Sequence, residues 1–419
     1  MQVPAVFSKR AVSLSVLAFL TLLATILPAQ EKILHSFNNT GIGGDTPSAG
    51  LILDSAGNLY STTSAGSTYN DGTVFELSPP STSTSWTLKV LHIFGSGSKD
   101  GTGTFASVIS DPAGNLYGVA AGGGLYGQGD VYELSPNGAG GWTEKLLHNF
   151  NKNGTDGTDP FGGLIRDAAG NLYGTTDVGG EFGFGVVFEV SPTGAGTWTE
   201  TILHQFGSVT DDGHNPEGGL LMDSAGNIYG TTTFGGPYNS NCTGTCGTVF
   251  ELTPGAGGTW TETVLHTFGS GSDGFEPQAG LVMDSTGNLY GTTSYGGANG
   301  KGTAFVLSSS SGTWTEKLIH NFGASPVDGV DPVDPFIFDS AGNLYGTTSA
   351  GGAYGFGTAF ELTPKSGGGW TEKQLHSFGN GKDGQYCAGP LLFDSAGNLY
   401  GTTLAGGAFG YGTVFEIIL

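Results

Sequence analysis

Apolar and polar positions along the chain form short β-strand patterns that are separated by glycine-rich turns. In one representative unit, the apolar run "GGLIRD" precedes the turn "AAG", and the runs "NLYGTT", "VVFEVSP" and "TWTETILHQF" follow. These runs are short and rich in β-branched and aromatic residues, which is typical of strands. No segment sustains the spacing of an amphipathic helix. The pattern therefore predicts four strands per unit, named A to D in chain order.

This unit recurs along the whole chain. The motif D-x-x-G-N-(L/I)-Y occurs seven times at spacings of 55 to 61 residues, and a second motif, (L/I)-H-x-F, keeps the same period. Propeller blades repeat at roughly 40–50 residues, and longer loops explain the period of about 56 here. Four successive strands with short connections form the antiparallel sheet of such a blade. The motif aspartates are Asp54, Asp111, Asp167, Asp223, Asp284, Asp339 and Asp394.

The two ends of the repeat region complement each other. After residue 30 the chain opens with "EKILHSF", which resembles a D strand, and it finishes with "GTVFEIIL", which resembles a C strand. If the N-terminal strand completes the last blade, no open sheet edge is left. The sequence thus predicts an all-β fold: a seven-bladed β-propeller of four-stranded antiparallel blades over residues 31–419, closed by the N-terminal strand pairing with the last blade.

Residues 1–30 have the pattern of a secretory signal peptide. Lys9 and Arg10 precede an apolar run from Ala11 to Leu27, and Pro28-Ala29-Gln30 follows. An uncleaved membrane anchor is the alternative, because the apolar run is long for a signal. We expect a secreted, periplasmic or cell-surface protein with no membrane span after signal removal.

Composition narrows the classes of partner. The chain has 36 acidic and 13 basic residues, a net charge of −23, and this excess of acid argues against binding nucleic acid or anionic membranes. Glycine is abundant at 78 of 419 residues, but 11% aromatic residues supply too much apolar surface for a disordered chain. A net negative charge of this size is compatible with neutral partners such as sugars, and also with cations. We expect a monomer.

The repeat resembles a known family. "W-T-E-K-x-L-H-x-F", "D-S-A-G-N-L-Y-G-T-T-x-x-G-G" and "G-T-V-F-E-L-T-P" together look like the GloVer tandem repeat of exported bacterial proteins, over essentially the whole chain after the signal. That family is described as choice-of-anchor, because its members combine the repeats with different C-terminal surface anchors. The resemblance implies a propeller and export. It provides no catalytic residue, and surface attachment is not carried over because no anchor motif is recognised.

Residues that recur in every blade are expected to be structural. In the D-x-x-G-N turn, the Asp accepts amide hydrogens and the Gly supplies a positive φ. The histidine of (L/I)-H-x-F occurs once per blade, so no two of them should converge on one metal ion, and each is expected to hydrogen-bond between blades. These histidines are His35, His92, His148, His204, His266, His320 and His376.

The loops between strands D and A, and between B and C, should emerge on the same face. The D–A loops each carry one Asp, and most B–C loops carry an aromatic residue, a combination suited to sugar stacking or to Ca²⁺. Ordinary Asp-Gly turn chemistry is the alternative explanation. The aspartates are Asp45, Asp100, Asp156, Asp212, Asp273, Asp328 and Asp383. The aromatic candidates are Tyr69, Tyr126, Phe182, Tyr238, Tyr354 and Phe409.

A few residues depart from the repeat. Arg166 on strand A is a candidate for the central channel, and His214 is a lone loop histidine. Cys242 and Cys246 are expected to form a local disulfide, since two thiolates alone lack the further ligands of a zinc site. Cys387 is left over, either buried or as a free thiol.

Two functions from different classes remain. The favoured hypothesis is an exported, non-catalytic binding module for polysaccharide or a surface protein, with no cofactor other than Ca²⁺ as a candidate. The alternative is a glycan hydrolase or lyase with its site at the channel mouth, although no residue is assigned to catalysis. A purely structural repeat protein is a third option. Convergence of Arg166, His214 and a carboxylate at one end of the axis would favour the enzyme.

Overall fold

The computed structural model describes residues 29–40, 42–81, 85–237, 240, 242 and 244–419. Residues 1–28 of the predicted signal peptide and the candidate Tyr238 therefore lie outside the described residues. Seven four-stranded antiparallel sheets are present, each with its strands in the spatial order A-B-C-D. The predicted seven-bladed propeller is confirmed.

The strand bounds follow the repeat closely. In blades 1 to 3 the strands A to D are Ile52–Leu53, Leu59–Thr63, Thr73–Ser78 and Thr87–Ile93; Ile109–Ser110, Leu116–Ala120, Asp130–Pro136 and Trp142–Asn149; Ile165–Arg166, Leu172–Thr176, Val186–Gly194 and Thr197–Gln205. In blades 4 to 6 they are Leu221–Met222, Ile228–Thr232, Thr248–Pro254 and Trp260–Thr267; Val282–Met283, Leu289–Thr293, Thr303–Ser310 and Thr313–Asn321; Ile337–Phe338, Leu344–Thr348, Thr358–Pro364 and Trp370–Ser377. A single 3₁₀ turn, Ala256–Gly258, connects strands C and D of blade 4.

Blade 7 is built from both ends of the described chain. Its strands A to C are Gly384–Phe393, Leu399–Gly406 and Thr413–Ile418, and its strand D is Gln30–Ser36. The first and last strands pair antiparallel, with Lys32 opposite Glu416. The predicted closure by the N-terminal strand is therefore confirmed.

Short ribbons tie the loops of one face together. In blades 2 to 6, two residues of the D–A loop pair with two residues of the B–C loop. Because strands alternate in direction, both loops lie at the same end of the propeller, which we call the loop face. The A–B turns lie at the other end, which we call the turn face. The ribbons are Gly101–Thr102 with Gly122–Gly123, Gly157–Thr158 with Val178–Gly179, Gly213–His214 with Phe234–Gly235, Gly274–Phe275 with Tyr295–Gly296, and Gly329–Val330 with Ala350–Gly351.

The hydrophobic core lies between neighbouring blades. The Phe of each (L/I)-H-x-F motif packs edge-on against an aromatic ring of the next strand C, as Phe150 does against Phe188 at 5.1 Å between ring centroids. Close packing also explains the glycine that strand B carries in six of the seven blades, since a Cβ at Gly174 would lie 2.6 Å from the Phe188 ring. These contacts hold adjacent sheets in a fixed register around the axis.

A β-bulge occurs in strand D of each blade, next to the histidine. In blade 2, His148 pairs with Val131 and Leu146 pairs with Tyr132, so Leu147 is the extra residue. Leu147 is buried, and His148 is half-buried at the boundary with the next blade. Bulges re-aim side chains, and this one directs consecutive residues to the core and to the blade interface.

Candidate functional site

The seven A–B turns have the structural role that the sequence predicted. In blade 7, Asp394 Oδ1 accepts hydrogen bonds from the backbone of Ala396 and Asn398 at 2.8 Å each, and Asp394 Oδ2 accepts from Asn398 Nδ2 at 2.9 Å and the Tyr400 hydroxyl at 3.2 Å. The turn glycine Gly397 has a φ of 90°, which a residue with a Cβ rarely adopts. Burial raises the pKa of Asp394, but these donors more than offset it and lower the pKa overall.

The D–A loop aspartates are not displayed to solvent. Asp45, Asp100, Asp156, Asp212, Asp273, Asp328 and Asp383 are all buried, with at most 9% of each exposed. The prediction that the loop face presents these carboxylates is therefore wrong. The reason is that each turns inward to accept hydrogen bonds, as Asp383 does from His376 Nε2 at 2.8 Å and from the backbone of Gly384 at 2.7 Å.

Each of these aspartates but Asp45 belongs to a cluster at a blade interface. The cluster joins the histidine of one strand D, the aspartate of the following loop and a glutamate of the next strand D. For example, His148 Nε2 lies 3.4 Å from Asp156 Oδ2 and 3.5 Å from Glu200 Oε2. The six clusters are His92–Asp100–Glu144, His148–Asp156–Glu200, His204–Asp212–Glu262, His266–Asp273–Glu316, His320–Asp328–Glu372 and His376–Asp383–Glu31.

Sequence reasoning missed the glutamates of these clusters. Five of them stand two positions after the tryptophan in "W-T-E", Glu31 takes the same place in the N-terminal strand without a tryptophan, and blade 1 has Leu88 at this position instead. The interface of His35 and Asp45 therefore has no glutamate from the neighbouring strand D. Each of the six clusters contains one histidine, so no two histidines meet in them, yet one imidazole with two carboxylates is a set that can bind a metal ion.

Burial makes the cluster glutamates weak acids. The pKa of Glu200 is raised to about 8 by its burial and then by the charge of Asp156, to which it also hydrogen-bonds. The pKa of Glu31 is raised to about 9 by burial and by Asp383. Two carboxyl groups in contact cannot both ionise cheaply, so in the absence of a cation each such pair holds one proton.

The aromatic candidates of the B–C loops lie at the surface. Tyr69, Tyr126, Phe182, Tyr354 and Phe409 are between 43% and 58% exposed. They stand on the loop face, away from the axis, because their loops connect the middle two strands of each blade. Their role in binding stays a prediction.

The two candidates that depart from the repeat lie far apart in the fold. Arg166 ends strand A of blade 3 beside the A–B turn, where its guanidinium is next to Gly170 on the turn face. His214 lies in a ribbon of the loop face and stacks on Phe184, with ring centroids 3.9 Å apart. They do not form a joint site, and the channel role of Arg166 stays a prediction.

The cysteines are structural in their surroundings. Cys242 and Cys246 are joined by a disulfide in the long B–C loop of blade 4. Cys387 is a buried free thiol in strand A of blade 7, and burial raises its pKa well above the usual value. Such a thiol is poorly reactive.

The mouth of the axial channel on the loop face is where the blades differ. One register position, six residues before each A–B turn aspartate, points to this mouth and holds a different kind of residue in nearly every blade. The residues are Ser48, Phe105, Phe161, Glu217, Gln278, Val333 and Ala388. Sequence reasoning missed this position, although its variation within a near-identical repeat was the available signal.

All of these residues except Ala388 line a cavity with an apolar side and a polar side. Two adjoining cavities of about 250 and 410 Å³ share Phe161, Glu217, Gln278 and Val333 in their walls. Phe105 and Phe161 form the apolar side, with their ring centroids 5.1 Å apart and inclined by 32°. The larger cavity is within the range of small-molecule sites, roughly 300–1,000 Å³.

The polar side is an ordered chain of hydrogen bonds. Ser294 Oγ donates to Gln278 Oε1 at 2.9 Å, and Gln278 Nε2 donates to Glu217 Oε2 at 3.2 Å. Asp177 also lines the larger cavity, and its buried Oδ1 has no hydrogen-bond partner among the described residues. Burial, and then the charge of Asp177, raise the pKa of Glu217. The site therefore offers acceptors that still lack donors.

Comparison with solved structures supports the fold. The extracellular domain assigned to a one-component system of B. thetaiotaomicron is similar at 14% identity and a TM-score of 0.55, over 93% of this chain and 41% of that one. This chain thus spans less than half of that neighbour's length. A protein from Bacteroides uniformis described as a 6-phosphogluconolactonase gives 12% identity and a TM-score of 0.49, over 78% and 83% of the two chains. At 14% identity the first likeness concerns the fold alone, and the second is too weak to support a conclusion.

Sequence comparison identifies the repeat. None of the curated proteins matches the chain significantly. Among the described residues, no helix has the length and apolar character needed to span a bilayer. The family model of the Gloeobacter/Verrucomicrobia repeat matches residues 23–245 and 238–419. Because these matches cover nearly the whole sequence, the chain belongs to the Gloeobacter/Verrucomicrobia repeat family.

Proposed function

We propose that this protein is an exported, non-catalytic binding propeller that recognises a saccharide at the channel mouth of its loop face. The observation that carries the proposal is the pair Phe105 and Phe161, which faces Glu217 and Gln278 across one cavity. Blade-specific residues from several blades meet there, whereas the motif residues repeat around the ring.

The chemistry of the cavity fits a neutral sugar. The C–H face of a pyranose packs on aromatic rings, and its hydroxyl groups donate to carboxylate and amide oxygens. Phe161 is 36% exposed and Phe105 41%, so both rings are accessible from the solvent. Asp177 lines the larger cavity as well and brings a second carboxyl group to the site of Glu217.

Export is supported by the signal-like residues 1–30 and by the extracellular position of the structural neighbour from B. thetaiotaomicron. An exported propeller with an exposed saccharide site would bind a polysaccharide outside the cell. The exposed loop aromatics, such as Tyr126 and Phe409, can extend contact beyond the mouth along a longer chain.

A glycan hydrolase is the second candidate, because two carboxyl groups, Glu217 and Asp177, line the same cavity. Glycoside cleavage uses such a pair, one as acid and one as base or nucleophile. Burial raises the pKa of Glu217, as a general acid requires, and the Gln278 amide that donates to it offsets this only in part, so the hydrolase has to be tested directly.

The test is depletion of the purified chain from solution by a panel of insoluble polysaccharides, with Ca²⁺ and with chelator. We expect selective depletion by at least one polysaccharide, and Phe161→Ala should weaken it by about tenfold, equivalent to about 1.4 kcal/mol. Phe234→Ala is the matched control, because it removes an aromatic ring of similar exposure, 37%, that does not line the mouth.

Three outcomes would contradict the proposal. No depletion by any polysaccharide removes saccharide binding and leaves a protein partner. Equal loss in both variants places binding on the outer loops instead of the mouth. New reducing ends that disappear in Glu217→Gln would show the hydrolase.

A further inference from the structure

Strand C of blade 2 carries two polar residues where the other blades are apolar or neutral. Asp130 takes the position held by Thr in five blades and by Val186 in blade 3, and Tyr132 takes the position of a Phe. The two residues are two positions apart, so they lie on the same face of the strand. Opposite Asp130 is Ala120, where the other blades have Thr.

Asp130 is fully buried and lacks partners. Its exposed fraction is 0%, and neither carboxylate oxygen has a hydrogen-bond partner among the described residues. The hydroxyl of the fully buried Tyr132 is likewise without a partner among them. An isolated buried carboxylate is very costly, so this side chain requires either a proton or a cation.

One of the interface clusters adjoins this carboxylate. His92 Nε2 lies 3.1 Å from Asp100 Oδ1 and 3.4 Å from Glu144 Oε1. The charges of Glu144 and Asp100 both act on Asp130, and after burial they are the causes that raise its pKa. The ligand atoms of His92, Asp100 and Glu144 lie within 4.8 Å of one another, and Asp130 is a neighbour of this set and not a member of it.

Two glycines, which have no side chain, provide the space that the Asp130 carboxylate occupies. A Cβ at Gly101 would lie 2.9 Å from Asp130 Oδ2, and one at Gly124 would lie 3.2 Å from it. Both glycines adjoin Asp100, since Gly101 follows it in the chain and Gly124 donates to its carbonyl at 3.0 Å. The carboxylate of Asp130 thus faces the loop that carries Asp100.

We propose that His92, Asp100 and Glu144 bind a divalent metal ion at the interface of blades 1 and 2, next to the buried carboxylate of Asp130. The donor set is one imidazole nitrogen and carboxylate oxygens from two acids, and Asp130 adds a third negative charge beside them. A nitrogen ligand favours Zn²⁺ or Mn²⁺ over Ca²⁺, which takes oxygen ligands. A bound divalent cation supplies the positive charge that the buried Asp130 lacks.

The other five clusters serve as internal controls. At the position of Asp130 they have Val186, Thr248, Thr303, Thr358 or Thr413. Each of those clusters has two carboxyl groups, and one shared proton satisfies them. Among the clusters of the described residues, only that of blades 1 and 2 has a third acid beside it, and therefore the site is expected once per chain.

The experiment measures metal bound by the full-length purified chain after chelator treatment. Zn²⁺, Mn²⁺ and Ca²⁺ are added separately, and bound metal is counted by elemental analysis and titration calorimetry. We expect one equivalent of Zn²⁺ or Mn²⁺ per chain. Asp130→Asn, which keeps the shape, should weaken binding by about 10–100-fold, and Glu200→Gln in the neighbouring cluster should leave the stoichiometry and affinity unchanged.

A second variant guards against a folding defect. Asp130→Thr installs the residue that most blades carry, and without metal it should unfold at a higher temperature than the natural chain, because it removes the buried carboxylate. Metal should raise the unfolding temperature of the natural chain and leave that of Asp130→Thr unchanged. No bound metal, or six equivalents that fall by one in Glu200→Gln, would overturn the proposal.

Discussion

Lys32 Nζ donates a hydrogen bond of 3.0 Å to Glu416 Oε2, across a sequence separation of 384 residues. The pair lies where the first strand meets the last, and it marks the point at which the ring of blades is closed. The Lys32 side chain is 55% exposed, so solvent screens this ion pair. The closure must therefore owe its strength to the strand pairing and to the apolar side chains beneath it.

The closure predicts very different effects for two neighbouring substitutions. Phe37→Ala should lower the free energy of unfolding by about 3–5 kcal/mol, because Phe37 is buried and packs on Phe75 of blade 1. Lys32→Ala should cost less than about 1 kcal/mol. Urea denaturation followed by circular dichroism measures both. Equal effects would mean that the exposed ion pair holds the ring closed.

The cluster glutamates predict a dependence of stability on pH. The pKa of Glu200 rises from about 4.5 to about 8 on folding, so its contribution to stability is complete below pH 4.5 and is lost as the pH rises through 8. Between pH 7 and 9 this loss is about 1 kcal/mol. The depressed pKa of Asp212 acts only at acid pH, outside this window.

Glu200→Gln tests this titration directly. The amide imitates the protonated acid, so the variant should equal the natural chain at pH 5 and exceed it in stability at pH 9. The measurement is the unfolding temperature of both chains across this range. Thr201→Ser, a change at the adjacent residue that adds no titrating group, is the control. A parallel decline in the natural chain and in Glu200→Gln would show that this carboxyl group is not the source.

The glycine of strand B predicts a cost from overpacking. Gly174→Ala places a methyl group 2.6 Å from the Phe188 ring in the buried blade interface, and we expect a loss of about 1–3 kcal/mol. Gly367→Ala is the matched control, because no atom lies within 4 Å of its added Cβ and its φ is not positive. Chemical denaturation measures the free energy of unfolding of both variants. Equal stability of the two variants would show that the interface can accommodate the added methyl group.

The repeat allowed the fold to be predicted, because the sequence of each blade specifies its strands and turns through local interactions. The Asp394 turn, for example, needs only residues within six positions of one another. The chain begins with an extra D strand and its last unit lacks one, so the two were predicted to pair and close the ring. Local patterns of this kind are the most reliable signal in a sequence.

The clusters could not be predicted so easily, because their members come from different blades. His148, Asp156 and Glu200 meet across a blade interface, and sequence spacing does not show which residue of the next strand D faces the histidine. The Asp156 side chain points inward because it contacts His148, and this contact could not be predicted from the sequence either. The one available hint was Leu88, which replaces the glutamate in a single unit.

The channel mouth was missed for the opposite reason. Attention to shared motifs favours residues that repeat, whereas Phe161 and Glu217 are informative because they do not. In a repeat protein the aligned units have to be compared position by position. The position that varies, six residues before each A–B turn aspartate, then identifies the residues near the axis.

Closure by the first strand imposes an order on biosynthesis. Gln30–Ser36 is translated before any blade, and its partner Thr413–Ile418 is translated after six blades are complete. Throughout synthesis this strand lacks the strand with which it pairs, although blade 1 is already present for Phe37 to pack on. Until the two strands pair, the last blade presents an unfinished edge of the kind that promotes association. The final folding step is therefore a contact of very high sequence separation, which is slow. A chain exported unfolded would complete this step only after its last residues had crossed the membrane, so the ring would close in the compartment where it works.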